Sequence, residues 1–471
     1  MSTSATTEPQ PAAPATTTSR GQAHYALLVL LLAYILSFID RNVMAVLIGP
    51  IREQFAITDF QYSLLHGFAF SMFYIALGLP IARLADHSNR KWIITIGVFL
   101  WSLMTCLCGT AKNVQTLFLA RIGVGVGEAA LSPPAYSLLA DMFDPEHLPR
   151  AIAVYTLGIT LGGGLAYIIG GAVFQHFAAS GPVSLPLLGE LSAWQMTFIA
   201  VGVPGFLVVG LLGFVHEPRS SAARSIRNRD CATSESPATP QPGLADIGRQ
   251  LRQHWRAYLG LIGSMSMLAI LGYGTMAWYP EFMLRTYAVE RAAVGGQFGL
   301  IFIVAGSIGA LAGGWSVKPL ADSGHSDAPM RIIILCALLW LLPACLGPLA
   351  PSPSLALVAA GPILFFLNAY FGVGIAGVQL ITPERMRAQV SALMLFSTNL
   401  FGLAFGPSAV ALLTDFLFAD DAALRYSLAL LPAVVCPLAA VLGWQGLAGY
   451  RRALNATAAG ARATSSADRD A

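Results

Sequence analysis

Twelve long apolar segments constrain the fold of this chain more than any other feature of its sequence. Each supplies the roughly 20 residues that a helix needs to cross the hydrocarbon core of a bilayer. Only 11% of the residues are charged and 56% are hydrophobic, whereas an average soluble domain carries about 25% charge. We therefore predict an all-α membrane protein with twelve transmembrane helices, at 25–48, 60–84, 92–109, 115–142, 152–179, 194–215, 257–284, 294–317, 332–349, 355–381, 389–418 and 426–447.

An even number of spans places both termini on one side of the membrane. Of the 27 Lys and Arg residues, 20 lie in or beside the loops on that side. Cytoplasmic loops carry an excess of Lys and Arg, so the distribution predicts cytoplasmic termini. The segment after the Ser-, Thr- and Pro-rich residues 1–20 is too long for a signal-peptide core. Short loops and the lack of a targeting segment favour a bacterial inner membrane, with the protein as a monomer.

Internal similarity divides the chain into two halves. Gly78 to Asp86 after the second span matches Gly314 to Asp322 after the eighth, each with a glycine eight residues before an aspartate. Parallel repeats of six helices are found in transporters whose substrate site lies between the halves. We predict two pseudo-symmetric six-helix bundles, with tails and a linker divided as 1–24, 25–215, 216–256, 257–447 and 448–471.

Four charged residues interrupt two of the apolar segments of the first half: Asp40, Arg41, Arg121 and Glu128. A lone charge near the bilayer centre costs roughly 2.5–3.5 kcal/mol on insertion scales. The helical rise of about 1.5 Å per residue places all four in one middle-to-outer layer of the membrane. We expect them to form one paired cluster.

Within this cluster, Glu128 is the preferred proton carrier, because desolvation in an apolar helix disfavours its charged form, and Asp40 is the second choice. Arg121 shares a helical face with Glu128 and is expected to hold the charged acid. Arg41 is expected to meet either acid or an anionic part of a substrate. The alternative is a static ion-pair network that only locks the helices together.

The loop after the second span carries a recognisable motif, Ala82-Arg-Leu-Ala-Asp86-His-Ser-Asn-Arg90-Lys91. It resembles the signature of major facilitator transporters, with Ala82, His87 and Asn89 departing from that pattern. In that family the loop gates the cytoplasmic side. The resemblance therefore implies a gating role for Asp86, Arg90 and Lys91, and an ordinary interfacial charge cluster is the alternative.

Within that superfamily the chain is similar to the Spinster group over about 40–170. The match rests on Asp40-Arg41, Asn89-Arg90-Lys91, Trp101-Ser102-Leu103, Gly123 to Ala129 and Leu139-Ala-Asp141. The resemblance implies a transporter with the major facilitator fold, a lipid-like substrate such as a lysophospholipid or sphingolipid, and proton coupling. It also implies a central cavity lined by the first and fourth helices.

The second half offers aromatic and polar residues where the first half offers charges. Tyr273, Trp278, Asn368 and Tyr370 lie in the seventh and tenth spans and are the candidates for the opposite cavity wall. Charge on one wall and aromatic rings on the other would suit an amphipathic molecule. The alternative for each ring is ordinary packing.

The chain has no ATP-binding, zinc or hydrolase motif. We therefore predict a secondary transporter, not an enzyme, without cofactor, metal or nucleic-acid partner; its partners are a small amphipathic substrate, protons and membrane lipids. Two other transport functions stay open, a symporter of small organic anions with protons and a drug/proton antiporter. A membrane sensor or scaffold that moves no substrate is the remaining alternative.

Overall fold

The computed structural model describes residues 19–144, 146–186, 189–217 and 244–470. Eleven helices of this described part are long and apolar enough to cross a membrane. The remaining predicted span, 60–84, is helical in three consecutive pieces, Asp59–Ser63, Leu64–Phe68 and Ala69–His87. The prediction of an all-α membrane fold is confirmed.

The first half contains helices α1 to α6. Between α1 and α2 lies a short helix, Ile48–Phe55, and between α5 and α6 lies an antiparallel hairpin of β1 (Val183–Leu185) and β2 (Gly189–Leu191). The six helices are α1 Arg20–Val46, α2 Asp59–His87 in the three pieces given above, α3 Arg90–Cys108, α4 Val114–Met142, α5 Leu148–Ser180 and α6 Ala193–Gly213.

The second half contains helices α7 to α12, preceded by a short amphipathic helix, Leu244–Gln253. The six helices are α7 Trp255–Tyr287, α8 Arg291–Asp322, α9 Ala328–Leu349, α10 Pro353–Leu380, α11 Gln389–Phe418 and α12 Asp421–Thr457. The side of the bundle where α1 begins and α12 ends is called the terminal side, and the opposite side the distal side.

Side-chain caps fix several helix starts on the distal side. The first N–H groups of a helix have no partner within the helix, and a reciprocal capping box satisfies two of them. The beginnings of α2, α4 and α6 each carry one, formed by Thr58 with Gln61, Asn113 with Thr116 and Ser192 with Gln195. Local sequence therefore sets where these helices enter the membrane.

Glycines bring the two halves together along α5 and α8. A Cβ atom at Gly299 would collide with the carbonyl oxygen of Gly164, and one at Gly295 would collide with that of Tyr167. Small residues let transmembrane helix backbones approach closely. The first and second halves therefore share a tight seam, and a second seam joins α2 to α11, where Gly67 contacts the carbonyl of Leu403.

Candidate functional site

Both helices that carry the intramembrane charges are interrupted where the charges lie. Helix α1 changes from α-helical to 3-10 geometry at Val43, two residues after Arg41. Helix α4 unwinds after Glu128 and restarts at Ser132. Discontinuous transmembrane helices commonly form the binding sites of transporters. The interruptions bring polar side chains of α1 and α4 together with backbone that is not α-helical, within the first half.

A buried ion pair joins the two interruptions. Arg41 Nη2 donates to Glu128 Oε2 at 2.5 Å, and Ser37 Oγ donates to the same oxygen at 2.8 Å. The side chain of Glu128 is 0% exposed and that of Arg41 is 9% exposed. Because Glu128 ends a helical segment, the negative end of the helix dipole disfavours its charge. Arg41 therefore supplies the positive charge that compensates the buried Glu128 carboxylate.

The second pair of intramembrane charges, Asp40 and Arg121, makes fewer hydrogen bonds than the first. Arg121 donates from Nη1 to the backbone oxygen of Asp40 at 3.4 Å, and it interacts electrostatically with the Asp40 carboxylate. Thr105 also faces this carboxylate. Among the described residues, no hydrogen bond reaches Asp40 Oδ1, Thr105 Oγ1, Glu128 Oε1 or the Nε and Nη2 atoms of Arg121. Asp40 and Arg121 are therefore buried with part of their hydrogen-bonding capacity unused.

The structure brings the four charges close together, but it pairs them differently from the expectation. Arg41, not Arg121, is the ion-pair partner of Glu128. Helix α1 contributes Ser37 and Arg41 together at the point where α4 unwinds. Arg121 lies nearly two turns away on α4 and turns to the α1 backbone instead. These four residues, Asp40, Arg41, Arg121 and Glu128, are called the central cluster below.

Aromatic rings surround the guanidinium of Arg41. Its Cζ lies 4.7 Å from the ring centre of Phe38, 4.6 Å from that of Phe70 and 5.0 Å from that of Tyr74. Arg121 lies 5.5 Å from the same Phe70 ring. Cation–π contacts contribute about 0.5–2 kcal/mol each, with the larger values where water is excluded. The rings therefore help to hold the buried guanidinium of Arg41 in the membrane.

The four residues predicted for the opposite wall do not share one location. Tyr273 interacts electrostatically with Arg41 and with Tyr370, so these two tyrosines extend from the central cluster into the second half. Asn368 donates to the carbonyl of Leu364 in its own helix. Trp278 is buried on the distal side, where its Nε1 donates to the carbonyl of Pro407.

The terminal-side motif forms a separate ion-pair group within the first half. Arg90 is buried and pairs with Asp141 at 2.6 Å and with Glu217 at 3.1 Å. Lys91 donates to the carbonyl of Gly213. The side chain of Asp86 lies outside the described residues. Arg90 therefore ties α3 to α4 and to the chain that follows α6.

Sequence reasoning missed a dense ion-pair group on the distal side. Asp59 of α2 accepts two hydrogen bonds of 2.8 Å from Arg285 of α7 and lies 2.9 Å from Arg52. Arg52 also pairs with Asp421 of α12 at 2.9 Å. The contacts of Asp59 with Arg285 and of Arg52 with Asp421 cross between the halves. Together with Glu281 and Arg291, which pair beside them, these residues are called the distal network: Arg52, Asp59, Glu281, Arg285, Arg291 and Asp421.

The distal network closes one side of the molecule. Arg291 Nη1 donates to the carbonyl of Val46 across the halves, and Phe60 N donates to Asp415. The inter-half ion pairs and side-chain hydrogen bonds found in the described part of the chain all lie on the distal half of the bundle. The sequence did carry a signal for this network, because charged residues flank the first inter-helix loop of both halves.

Two six-helix halves, joined tightly on one side and holding a buried ion pair at two helix breaks, define the class of the protein as a polytopic membrane transporter. The chain belongs to the Major Facilitator Superfamily, which matches residues 30–407. The predicted fold and the prediction that the protein is a transporter and not an enzyme are confirmed.

Individual relatives agree with the resemblance found in the sequence. The chain is 26% identical to a solved bacterial homologue of the human lysosomal transporter Spinster in an inward-facing, unoccupied conformation, with a TM-score of 0.71, covering 94% of this chain and 96% of that one. It is 26% identical to a sphingosine-1-phosphate transporter of Danio rerio, over 87% of this chain and 80% of that protein. It is 28% identical to an MFS-type efflux pump of Mycolicibacterium smegmatis, over 90% and 92%. The predicted Spinster resemblance is confirmed.

Proposed function

We propose that this protein is a proton-coupled carrier of an amphipathic, lipid-like substrate that works by alternating access. The observation that carries this proposal is the buried ion pair between Arg41 and Glu128 at two helix breaks. Intramembrane charges are expensive to keep and commonly mark substrate or proton pathways. A pair used only for packing could be replaced by apolar residues with little loss of stability.

The geometry suggests where the proton binds. Glu128 Oε2 accepts hydrogen bonds from both Arg41 and Ser37, whereas Oε1 has no hydrogen-bond partner among the described residues. A proton added to Oε1 would neutralise the carboxylate and remove the counter-charge of Arg41. Arg41, still held by its aromatic neighbours, would then bind an anionic group of the substrate. Asp40, which interacts electrostatically with Glu128, is the second candidate acid.

The closed distal side indicates the stage of the transport cycle. With the distal network formed, substrate would reach the central cluster from the terminal side. If that side is cytoplasmic, as the Lys and Arg distribution predicts, this conformation faces inward. The gating role predicted for Asp86, Arg90 and Lys91 would apply in the other state, in which the terminal side closes and the distal side opens. The ion pairs of Arg90 within the first half support that role, since they brace one wall of the terminal side.

The substrate class follows from two kinds of support. Arg41 is a cation next to aromatic rings, which suits a molecule with an anionic head and an apolar body. A relative over most of the chain transports sphingosine-1-phosphate, which has that composition. Tyr273 and Tyr370 are the residues of the second half that we propose to contact the substrate, while Trp278 lies with the distal network.

The test is substrate-driven proton movement in proteoliposomes containing a pH-sensitive dye. Parent protein, Glu128→Gln and Asp40→Asn would be compared with Glu53→Gln, an exposed acid on the distal side, as the matched control. We expect a lysophospholipid or sphingoid phosphate to drive proton flux in the parent and in the control, with none in Glu128→Gln.

Unchanged flux in both cluster variants would overturn the proton-coupling assignment. Small carboxylates added to the same vesicles test the alternative of an organic-anion symporter. If they drive proton flux and lysolipids do not, the lipid-like substrate class is wrong while the role of Glu128 stands.

A further inference from the structure

Four tyrosines from four helices pack together in the first half. They are called the tyrosine cluster: Tyr34 of α1, Tyr74 of α2, Tyr136 of α4 and Tyr155 of α5. The rings of Tyr34 and Tyr155 stack with their centres 4.5 Å apart, and the ring of Tyr136 packs edge-on against Tyr155 at 5.3 Å. Tyr74 interacts electrostatically with the other three.

The chain places this cluster on the terminal side of Glu128. Helix α4 runs from the distal to the terminal side, and Tyr136 follows Glu128 by eight residues, which is about 12 Å along a helix. Gly158 of α5 makes room for the stacked pair, because a Cβ atom at Gly158 would lie 3.0 Å from the Cβ of Tyr34. The tyrosine cluster therefore lies between the central cluster and the side of the molecule that the distal network leaves open.

The tyrosine cluster contacts the central cluster through Arg41. The ring centre of Tyr74 lies 5.0 Å from Cζ of Arg41. Tyr34 also interacts electrostatically with Arg41. The cluster is therefore joined directly to the ion pair that Arg41 forms with Glu128.

A serine hydroxyl lies between the tyrosine cluster and Glu128. Ser132 is the first residue of the second piece of α4. Its hydroxyl lies beside the hydroxyls of Tyr34 and Tyr155. Ser132 is also four residues after Glu128, about one helical turn away along the same helix. Hydroxyl groups therefore continue from the tyrosine cluster toward the acid.

Burial creates a need for such groups. The side chain of Glu128 is 0% exposed, so a proton from water has to pass through other groups to reach it. Tyr136 is 36% exposed, whereas Tyr155 is 0% exposed and its hydroxyl has no hydrogen-bond partner among the described residues. An unpaired buried hydroxyl is destabilising. The hydroxyl of Tyr155 therefore adds no stability that a phenylalanine at this position would lack.

We propose that the hydroxyls of Tyr136, Tyr155 and Ser132 carry protons between the terminal side and the Glu128 carboxylate. Each neutral hydroxyl accepts a proton on its oxygen and gives its own proton to the next group. One proton leaves water at Tyr136, one arrives at Glu128, and every hydroxyl is restored. Arg41 is the charged group that faces this route, and its positive charge disfavours a free hydronium ion there. The proposal rests on the proposed role of Glu128 and adds the route by which its proton travels.

The experiment measures how fast a proton arrives at Glu128. Protein in nanodiscs would be shifted rapidly from basic to acidic pH, and the C=O band of protonated carboxylic acids followed by time-resolved infrared spectroscopy. The part of the band that is lost in Glu128→Gln reports Glu128. We expect Tyr155→Phe and Ser132→Ala to slow this part at least about tenfold, because a positioned proton-transfer group contributes that much or more. Its final amplitude should match that of the parent.

Two matched variants separate proton transfer from a structural role. Ser132→Thr keeps the hydroxyl and should keep the rate of the parent. Tyr450→Phe removes a buried hydroxyl of the second half that donates to the carbonyl of Gly377. It should lower the melting temperature and leave the rate unchanged. Tyr155→Phe should show the opposite pattern, with a slower rate and a melting temperature equal to or above that of the parent.

The outcomes distinguish this route from the proposed coupling site. Parent-like rates in both Tyr155→Phe and Ser132→Ala would overturn the route and leave Glu128 as the proton-binding acid. A lowered melting temperature in Tyr155→Phe, with Ser132→Thr as slow as Ser132→Ala, would mean that these side chains are structural and would also overturn the route. The absence of any band that depends on Glu128 would overturn the coupling site itself.

Discussion

The central cluster and the distal network are both built from buried arginine–carboxylate pairs, but they join different parts of the molecule. Arg41 and Glu128 both belong to the first half, so their contact can persist when the halves move. Asp59 and Arg285 belong to different halves, so their contact must break whenever the distal side opens. The same kind of ion pair can therefore stay intact throughout the transport cycle in one place and close the distal side of the molecule in the other.

Asp59 of the distal network and the two acids of the central cluster also differ in how completely their carboxylate oxygens are paired. Both oxygens of Asp59 accept hydrogen bonds from Arg285, and Arg52 adds a third contact. In the central cluster, Glu128 Oε1 and Asp40 Oδ1 have no hydrogen bond from any described residue. Glu128 therefore leaves an oxygen open where the proposed proton would bind, whereas Asp59 leaves none.

The largest expected effect comes from replacing Arg41 with lysine. Lysine lacks the planar guanidinium that stacks on rings and pairs with carboxylates. We therefore expect the interaction free energy of this side chain with Glu128, the rings and the substrate to weaken by about 2–4 kcal/mol. Substrate transport should fall by roughly thirtyfold or more, measured as initial uptake into proteoliposomes. The matched change Arg52→Lys in the distal network should reduce uptake far less. Equal losses in both variants would remove the distinction between the two regions.

The next effect is on conformation. Asp59→Asn weakens the inter-half contact only in the distal-closed state, because an open distal side exposes the residue to water. Breaking a buried charge pair costs about 2–5 kcal/mol, so the population of the distal-open state should rise at least tenfold. The measurement is maleimide labelling of Ser408→Cys, which lies on the inter-half seam opposite Ser63, in a background lacking the native cysteines.

Glu128→Gln provides the control for this labelling experiment, because its ion pair lies within one half. We expect its labelling rate at Ser408→Cys to stay near that of the parent without substrate. A rate in Asp59→Asn no higher than in Glu128→Gln would mean that the distal network does not hold the halves together.

A smaller effect is expected from Asp421→Asn. Asp421 pairs with the same Arg52, but its side chain is 61% exposed. Exposed ion pairs contribute about 0–1 kcal/mol, so labelling of Ser408→Cys should rise less than about fivefold. A change as large as that of Asp59→Asn would show that exposure does not govern the strength of the distal contacts.

The smallest effect lies outside both regions. Asp327, before α9, accepts hydrogen bonds from Arg331 at 2.8 Å and from Arg451 at 2.7 Å. Burial alone would raise its pKa, but the two arginines hold the pKa of Asp327 below its ordinary value. A lowered folded-state pKa stabilises the protein above the unfolded-state pKa of about 3.9, and this stabilisation disappears as the pH falls through the folded-state pKa.

Asp327→Asn should therefore lower the melting temperature equally at pH 6 and pH 8, with the difference from the parent shrinking below about pH 4. Its labelling at Ser408→Cys should match the parent, because its partners all lie in the second half. A difference in melting temperature that changes between pH 6 and pH 8 would assign the titration to another group.

Much of the fold was predictable because hydrophobic length is a local property. The predicted span 115–142 corresponds to Val114–Met142, and 389–418 corresponds to Gln389–Phe418. Helix α1 begins earlier than expected, at Arg20, because the Ser19 hydroxyl accepts from the N–H of Gln22 and caps the helix before the apolar segment starts. The interruptions of α1 and α4 were not predicted, because apolar composition alone does not distinguish a continuous helix from a broken one.

The candidate site was predictable in its members but not in its pairing. Charges in apolar spans pointed to Asp40, Arg41, Arg121 and Glu128, and the structure brings them together. The expectation that Arg121 holds Glu128 used spacing along one helix. The actual partner, Arg41, comes from a helix more than eighty residues earlier in the chain. Trp278 was placed on the cavity wall by its span alone, and its contact with Pro407 puts it on the distal side.

The sequence by itself determined how many helices cross the membrane and at what depth each charge lies, because both follow from the rise per residue along a helix. The tertiary structure alone decided which charges meet and which side of the molecule is closed. Those features depend on the rotation and contact of helices that are distant in the chain. Depth is a property of one helix, whereas an ion pair or a seam requires two.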